Sequence, residues 1–319
     1  MRRDRMYVWL VLGLSVVCLE GMLASSGAEA RSGSILDAAG ESLTGDVYAE
    51  PSRWRELSLG TIFTEGWDEA WVSPPAGEGG APRQGWINAF DGVFYRLGIA
   101  TFGFADDFND NGNQYTGGLT LYAPFNRRFE LRIDTPFVVS NKGVRDHYLT
   151  SFGDLQITPR LLLSETRNFT QSFNLTFRVP TGHVENFTGV AAVTPTYEFW
   201  ANVWQGLVLR GGVGFFVPYG GQSLNEVHAR TTFLANLAAG YYFTPHDRTP
   251  FGDMVWYLSP NLYQFIDNRG PRSLTTLSLT PGFRTHLGQN WYLLGGVEVP
   301  VTEPKPFDYQ LLSGLMKVF

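Results

Sequence analysis

The feature that most constrains this chain is a two-residue alternation that recurs from residue 91 to the last residue, with one face of each segment apolar and the other polar and repeatedly charged. Between Phe129 and Val139, for example, Phe129, Leu131, Ile133, Phe137 and Val139 fall on one face, and Glu130, Arg132 and Asp134 on the other. A period of two is the signature of a β-strand. Twelve such segments can be marked, at about 92–105, 113–124, 128–140, 152–164, 168–181, 189–201, 204–218, 228–243, 253–266, 272–287, 290–302 and 306–319. The parity is the same in most of them. The ninth is shifted by one residue, with Met254, Trp256, Leu258 and Leu262 opposing Tyr257, Ser259, Asn261 and Tyr263, as a bulge or an altered turn length would cause.

Two folds alternate in this way, a water-soluble sandwich and a membrane barrel. A sandwich turns its polar face to solvent and keeps its inner face apolar. Here charge recurs on the minority face of nearly every segment, and an unpaired arginine in a dry core costs several kcal/mol. The charged face therefore lines a wet interior and the apolar face meets lipid. Each segment has the roughly ten residues that a tilted membrane strand needs. Beyond the first thirty residues, no apolar run reaches the length of a membrane helix. The expected fold is all-β, a twelve-stranded antiparallel transmembrane β-barrel over 91–319 with an N-terminal periplasmic extension, placed as an integral protein of a bacterial outer membrane.

The beginning of the chain fits export. Arg2, Arg3 and Arg5 precede an apolar run from Tyr7 to Leu19 and a small-residue site ending at Ala30, so residues 1–30 are expected to be a cleaved signal peptide. Cleavage there removes the sole cysteine, Cys18, leaving neither a disulfide nor a thiolate metal site. A formal charge of −6 without a basic stripe excludes nucleic acid as a partner.

Turn lengths give an independent test. Tight polar turns at 125–128, 165–168, 202–204 and 288–290 alternate with looser stretches at 106–112, 141–151, 182–188 and 219–227, the short-turn, long-loop habit of outer-membrane barrels. With the C-terminus on the periplasmic side, the short turns are periplasmic. The connection at 244–252 is the exception, being periplasmic by parity and yet long. Tyr95, Phe129, Phe169, Phe199, Tyr241, Phe243, Trp256, Trp291 and Phe319 fall near that interface and predict an aromatic girdle.

The terminal pattern of Tyr309, Leu311, Leu315 and Phe319 resembles the closing strand that the outer-membrane assembly machinery recognises, which implies that machinery as a partner; Lys317 departs from it. Gly153-Asp154-Leu155 and Arg178-Val179-Pro180-Thr181-Gly182 resemble the GDL and PTG signposts of the outer-membrane transporters associated with meta-pathway phenol degradation. That resemblance covers about 110–319 and implies a barrel that passes small, often aromatic, compounds.

Residues 31–90 lie outside it. Trp54, Trp67, Trp71 and Trp86 there are too many for a plain linker, so this Trp-rich segment either packs on the periplasmic rim or enters the lumen as a plug.

The inward-facing charges expected to line the lumen are Arg96, Glu130, Arg132, Asp134, Asp154, Arg160, Arg178, Glu198, Arg210, Arg230, Arg284 and Glu298. Arg132, Arg160, Arg210 and Arg284 facing Glu130, Asp134 and Glu198 would make an electrostatic eyelet favouring polar or anionic solutes. Alternatively, these charges pair across strands and fill a narrow barrel. Asp107 to Gly112 matches the first half of a calcium loop, but its twelfth position is Gly118 rather than Glu, and a turn rich in Asp, Asn and Gly needs no metal. Of His147, His183, His228, His246 and His286, none sits on the lipid face beside a serine, as a barrel lipase requires. Neither an enzyme nor a cofactor or metal site is expected. A channel or transporter for small solutes ranks first, a structural or adhesive barrel without transport second.

Overall fold

The computed structural model describes residues 34–49, 51–110, 112–142, 148–222, 224–225, 229–267 and 275–319. The expected signal peptide, His147 and His228 lie outside the described residues. The strands are β1 (Leu97–Ala105), β2 (Gln114–Pro124), β3 (Phe129–Lys142), β4 (Tyr148–Ser151), β5 (Leu155–Glu165), β6 (Phe169–Val179), β7 (Ala191–Trp204), β8 (Leu207–Gly220), β9 (Thr232–Tyr242), β10 (Gly252–Phe265), β11 (Thr275–Gly288), β12 (Trp291–Pro300) and β13 (Gln310–Val318). All neighbouring pairs are antiparallel, and β1 pairs with β13 from Leu97↔Val318 to Ala105↔Gln310, which closes the ring. Short β4 pairs only with the outer end of β3, while β5 pairs with its inner end from Phe129↔Leu161 to Asp134↔Gln156. Residues 152–154 thus interrupt a single path, and the wall is a closed twelve-stranded barrel.

Closure leaves no free sheet edge, so every wall strand satisfies its backbone within the sheet, as lipid demands. The faces are the inverse of a water-soluble protein. Phe102, Leu119, Phe173, Leu237, Trp256, Leu258, Trp291 and Leu315 are exposed outward, while Thr158, Ser172, Asn174, Asn236, Ser259 and Thr280 are buried within. On β10, Trp256 and Leu258 face out and Tyr257, Ser259 and Asn261 face in, the reverse of the neighbouring strands β9 and β11; β1, with Phe102 out and Leu97 and Ala105 in, shares this even-outward parity. The cause on β10 is a register shift against β11 between Gly252 and Val255, where Asp253 adopts φ 46°.

The short turns between β2 and β3, β5 and β6, β7 and β8, and β11 and β12 all lie at the end that carries the C-terminus. In the two tightest, Gln205 and Gly206 between β7 and β8 and Gln289 and Asn290 between β11 and β12 all have positive φ, which only a turn rich in glycine or amides accepts readily.

The extension has two parts. Helix α1 (Ile35–Thr44) opens with a capping box at Ser34 and docks at the periplasmic rim, where the Arg96 guanidinium donates to the Ser42, Gly45 and Phe319 carbonyls. Residues 51–82 continue along the periplasmic strand ends. Leu57 pairs through both backbone bonds with Glu165, the last residue of β5. Fully buried Arg128 donates to the carbonyls of Ser58, Glu65, Leu162 and Leu163 and to the Thr61 hydroxyl. From Arg83 to Tyr95 the chain turns into the barrel and bonds to inward side chains of β3 and of β5 through β11.

One girdle residue belongs elsewhere. Tyr95 precedes β1 and is buried inside the barrel, 6 % exposed, whereas Tyr241, Phe243, Trp256, Trp291 and Phe319 are exposed on the outer wall. Strand parity cannot be extended past the point where the chain leaves the sheet.

Candidate solute passage and the segment inside it

Residues 83–95 are held by a ring of arginines and amides. At the entry, buried Arg83 donates to the Thr170 hydroxyl (2.8 Å), the Thr166 and Arg167 carbonyls (2.6 and 3.0 Å) and Glu165 (3.3 Å), with its guanidinium 4.7 Å from the Trp200 ring. Trp86 then lies flat on Tyr257 of β10, centroids 4.7 Å apart and planes within 7°, and the Arg210 guanidinium sits 4.9 Å from the same indole. At the tip, the Asn88 amide donates to Thr280 (2.8 Å) and its carbonyl accepts from Ser259 (2.7 Å), while the Phe90 N–H donates to Asn236 (3.0 Å).

The return limb is held by charge. Asp91 pairs with Arg210 at 2.7 Å, its N–H donates to Glu198 at 3.0 Å, and its carbonyl accepts from Arg160. The Tyr95 hydroxyl stands 2.6 Å from the Asp91 carboxylate and 2.5 Å from the Arg83 carbonyl, and its N–H donates to Glu130 at 2.5 Å. Arg210 also donates to the Arg83 and Gln84 carbonyls, and Arg284 to that of Gln84. The wall makes room with glycines. A Cβ on Gly240 would lie 2.6 Å from the Trp86 ring, and one on Gly92 of the segment 2.7 Å from the β7 backbone.

On either side of the segment lies a cavity. The outer one, about 290 Å³, is lined by Trp86, Phe90, Asp91, Tyr95, Tyr122, Arg132, Asp134, Arg178, Glu198 and Phe216 among others. The inner one, about 370 Å³ on the periplasmic side, is lined by Tyr48, Trp71, Arg83, Gln84, Tyr95, Arg96, His246 and Asp253 among others. Tyr95 borders both.

The twelve charges expected inside divide into groups. Glu130, Arg160, Glu198, Arg210 and Arg284 bear on residues 83–95 rather than on open space. Arg132 and Asp134 pair with each other at 2.8 Å and border the outer cavity. Arg178 pairs with Asp154 at 2.7 Å near the outer strand ends, Arg230 with Asp267 at 2.8 Å in the same region, and Glu298 accepts from Ser278. Arg96 sits at the periplasmic rim. Parity reading misses Arg83, Trp86 and Asp91, because they precede the first strand and no period places them. It also misses Arg127 and Arg128, which lie in a turn yet are buried; two adjacent arginines in a tight turn were the available signal.

Asp154 deserves its motif. Its carboxylate accepts N–H groups from Gly182 (2.9 Å), Gly189 (2.8 Å) and Val190 (3.1 Å) besides Arg178. Thr181 donates to the Gly153 carbonyl at 2.7 Å and accepts from the Leu155 N–H at 2.9 Å. The two signposts are the halves of one latch that folds the loop after β6.

The calcium-like turn is closed by its own side chains, Asp107 accepting from the Gly112 N–H and Asn113 from the Asp107 N–H. His246 and His286 stack at 4.2 Å beside Asp253 and Tyr292. No group of three His, Cys, Asp or Glu with metal-site geometry occurs among the described residues.

The model of the family described as "Putative MetA-pathway of phenol degradation" matches residues 90–299, about two-thirds of the chain. The chain belongs to this family. The family match begins one residue before Asp91, so it takes in Asp91 and Tyr95 and leaves out Arg83 and Trp86. Among solved structures, an outer-membrane channel from Pseudomonas putida F1 aligns with a TM-score of 0.55 at 12% identity, covering 74% of this chain and 100% of that one. The KdgM porin aligns with a TM-score of 0.47 at 10% identity, covering 70% and 99%. No curated protein matches by sequence. The family membership and the closed, outwardly apolar barrel make this an integral outer-membrane protein.

Proposed function

We propose that the protein is a passive outer-membrane channel for small solutes, with aromatic or anionic compounds as its cargo, and that residues 83–95 close it in the conformation described. The observation that carries this reading is the pair of cavities separated by a single inserted segment, with Tyr95 on the boundary of both. A structural barrel has no need of chambers on both sides of a plug. The outer chamber combines rings (Phe90, Tyr122, Phe216) with charges (the Arg132–Asp134 pair, Arg178 and Glu198), a lining suited to a small aromatic body with a polar group. Support comes also from the family description and from the channel of P. putida F1. No chemical step is involved.

The twelve inward charges are lumen-lining in this reading, and those on the outer chamber set selectivity. Purified protein in planar bilayers should show a low baseline with discrete openings, and liposomes should swell faster with small aromatic solutes than with sugars. Arg132→Glu should shift ion preference toward cations, because this side chain borders open space. A chain that never conducts and never admits solute would leave the structural or adhesive barrel as the better account.

A further inference from the structure

The inserted segment presents to the wall the two halves of an aromatic carboxylate. The Trp86 ring is stacked on Tyr257 with the Arg210 guanidinium beside it, and the Asp91 carboxylate is bonded to that same guanidinium at 2.7 Å. Ring and carboxylate thus converge on one arginine although they stand five positions apart in sequence. A Cβ on Gly85, next to Trp86 in the chain, would lie 2.9 Å from the Asp91 carboxylate and press on it.

From this convergence we infer that Arg210, Arg284 and Tyr257 form a binding site for a small aromatic carboxylate, which residues 83–95 occupy as a tethered mimic. The inference rests on the channel reading and names the solute that opens the passage. Charge points the same way. Among the described residues Asp91 is the only carboxylate paired with fully buried Arg210, and Arg284 has no carboxylate partner within ion-pair distance. The Nε of each makes no hydrogen bond, so the cluster holds more donors than the segment satisfies. When the segment leaves, Arg210 loses its ion pair and its two carbonyl acceptors, and Arg284 loses the Gln84 carbonyl. Buried guanidinium groups stripped of acceptors are costly, and a carboxylate restores them in bidentate fashion. Tyr257, freed of the indole, offers its face to the ring of the solute. A solute that binds only the open arrangement shifts the balance toward it.

The test uses the full chain in planar bilayers, with benzoate as the probe and acetate and benzyl alcohol as its separated halves. Benzoate is expected to raise the open conductance roughly tenfold at concentrations where either half alone has little effect. The double variant W86A/D91N is expected to conduct without benzoate. An Asn88→Cys/Thr280→Cys pair, built where the two side chains now lie 2.8 Å apart and in a chain whose Cys18 is replaced by Ser, should silence the benzoate response when oxidised and restore it when reduced. If W86A/D91N conducts but benzoate does nothing to the unmodified chain, or acts as well on the oxidised form, the carboxylate site is wrong and the channel reading survives. If neither the unmodified chain nor W86A/D91N conducts, the channel reading itself fails.

Discussion

A single charged side chain at each end of the barrel, Asp154 outside and Arg55 on the periplasmic side, organises the chain around it. Asp154 is 2 % exposed and gathers three backbone N–H groups and a guanidinium from the segment 178–190. Asp154→Ala leaves those donors buried without an acceptor, at a cost of about 2–4 kcal/mol. Faster hydrogen exchange over 181–190, with the wall strands still protected, is the expected signature. Gly182 is tied to the same latch, since a Cβ there would fall 2.2 Å from the Thr188 hydroxyl. At the periplasmic end, Arg55 pairs with Glu65 at 2.9 Å and Glu69 at 2.6 Å. The Arg55 hydrogen bond holds the Glu65 carboxyl below its ordinary 4.5; burial pushes Glu69 up, but its bond and proximity to Arg55 win and lower it too. Lowered carboxyl values mean that this anchoring is fully present above pH 4.5 and is lost as the pH falls through the depressed values. Acid-stable protease should therefore cut within 55–69 readily at low pH and slowly near neutrality.

Elements matter here by what they leave vacant. Strand β9 contributes Gly240 to the inner face, and the vacancy is filled by the indole of Trp86. Gly240→Val places a branched side chain where the Trp86 ring lies 2.6 Å from the Cβ position, an overpacking worth about 1–3 kcal/mol. Because the plug is more easily displaced than a paired strand, the variant should keep a heat-resistant barrel and show raised basal conductance. An unchanged closed baseline would mean that Trp86 does not hold the segment in place. The strands themselves were legible within a few residues, since alternation is local. The expected ninth strand was displaced in parity for a reason that only pairing reveals, the bulge between Gly252 and Val255. Short β4 was not foreseen, because its four residues fall in the stretch 141–151 read as a loop and are too few to show a period.

At the scale of the molecule, the barrel and its extension are coupled through the rim. Arg128 alone ties the carbonyls of Ser58 and Glu65 to those of Leu162 and Leu163. Arg128→Ala should free the extension while leaving the closed wall intact, so that limited proteolysis removes part of 55–82 and the heat shift of the barrel on a gel is unchanged. Loss of the barrel itself in this variant would show that the rim contacts are needed for closure.

The sequence by itself determined most of the wall: strand number, the parity of most strands though not of β1, the side on which each short turn lies, and an interior rich in charge. These follow from a period of two and from turn length, which a chain carries locally. Only the tertiary structure decided what those interior charges face. Arg284 meets the carbonyl of Gln84 across 200 residues, and Asn88 meets Thr280 across 192. No local pattern encodes such a meeting, because it arises when a stretch without periodicity is enclosed by a ring that closes only when β1 finds β13. Arginines that look from the sequence like the walls of an open eyelet are, in the folded molecule, the sockets of the segment within it.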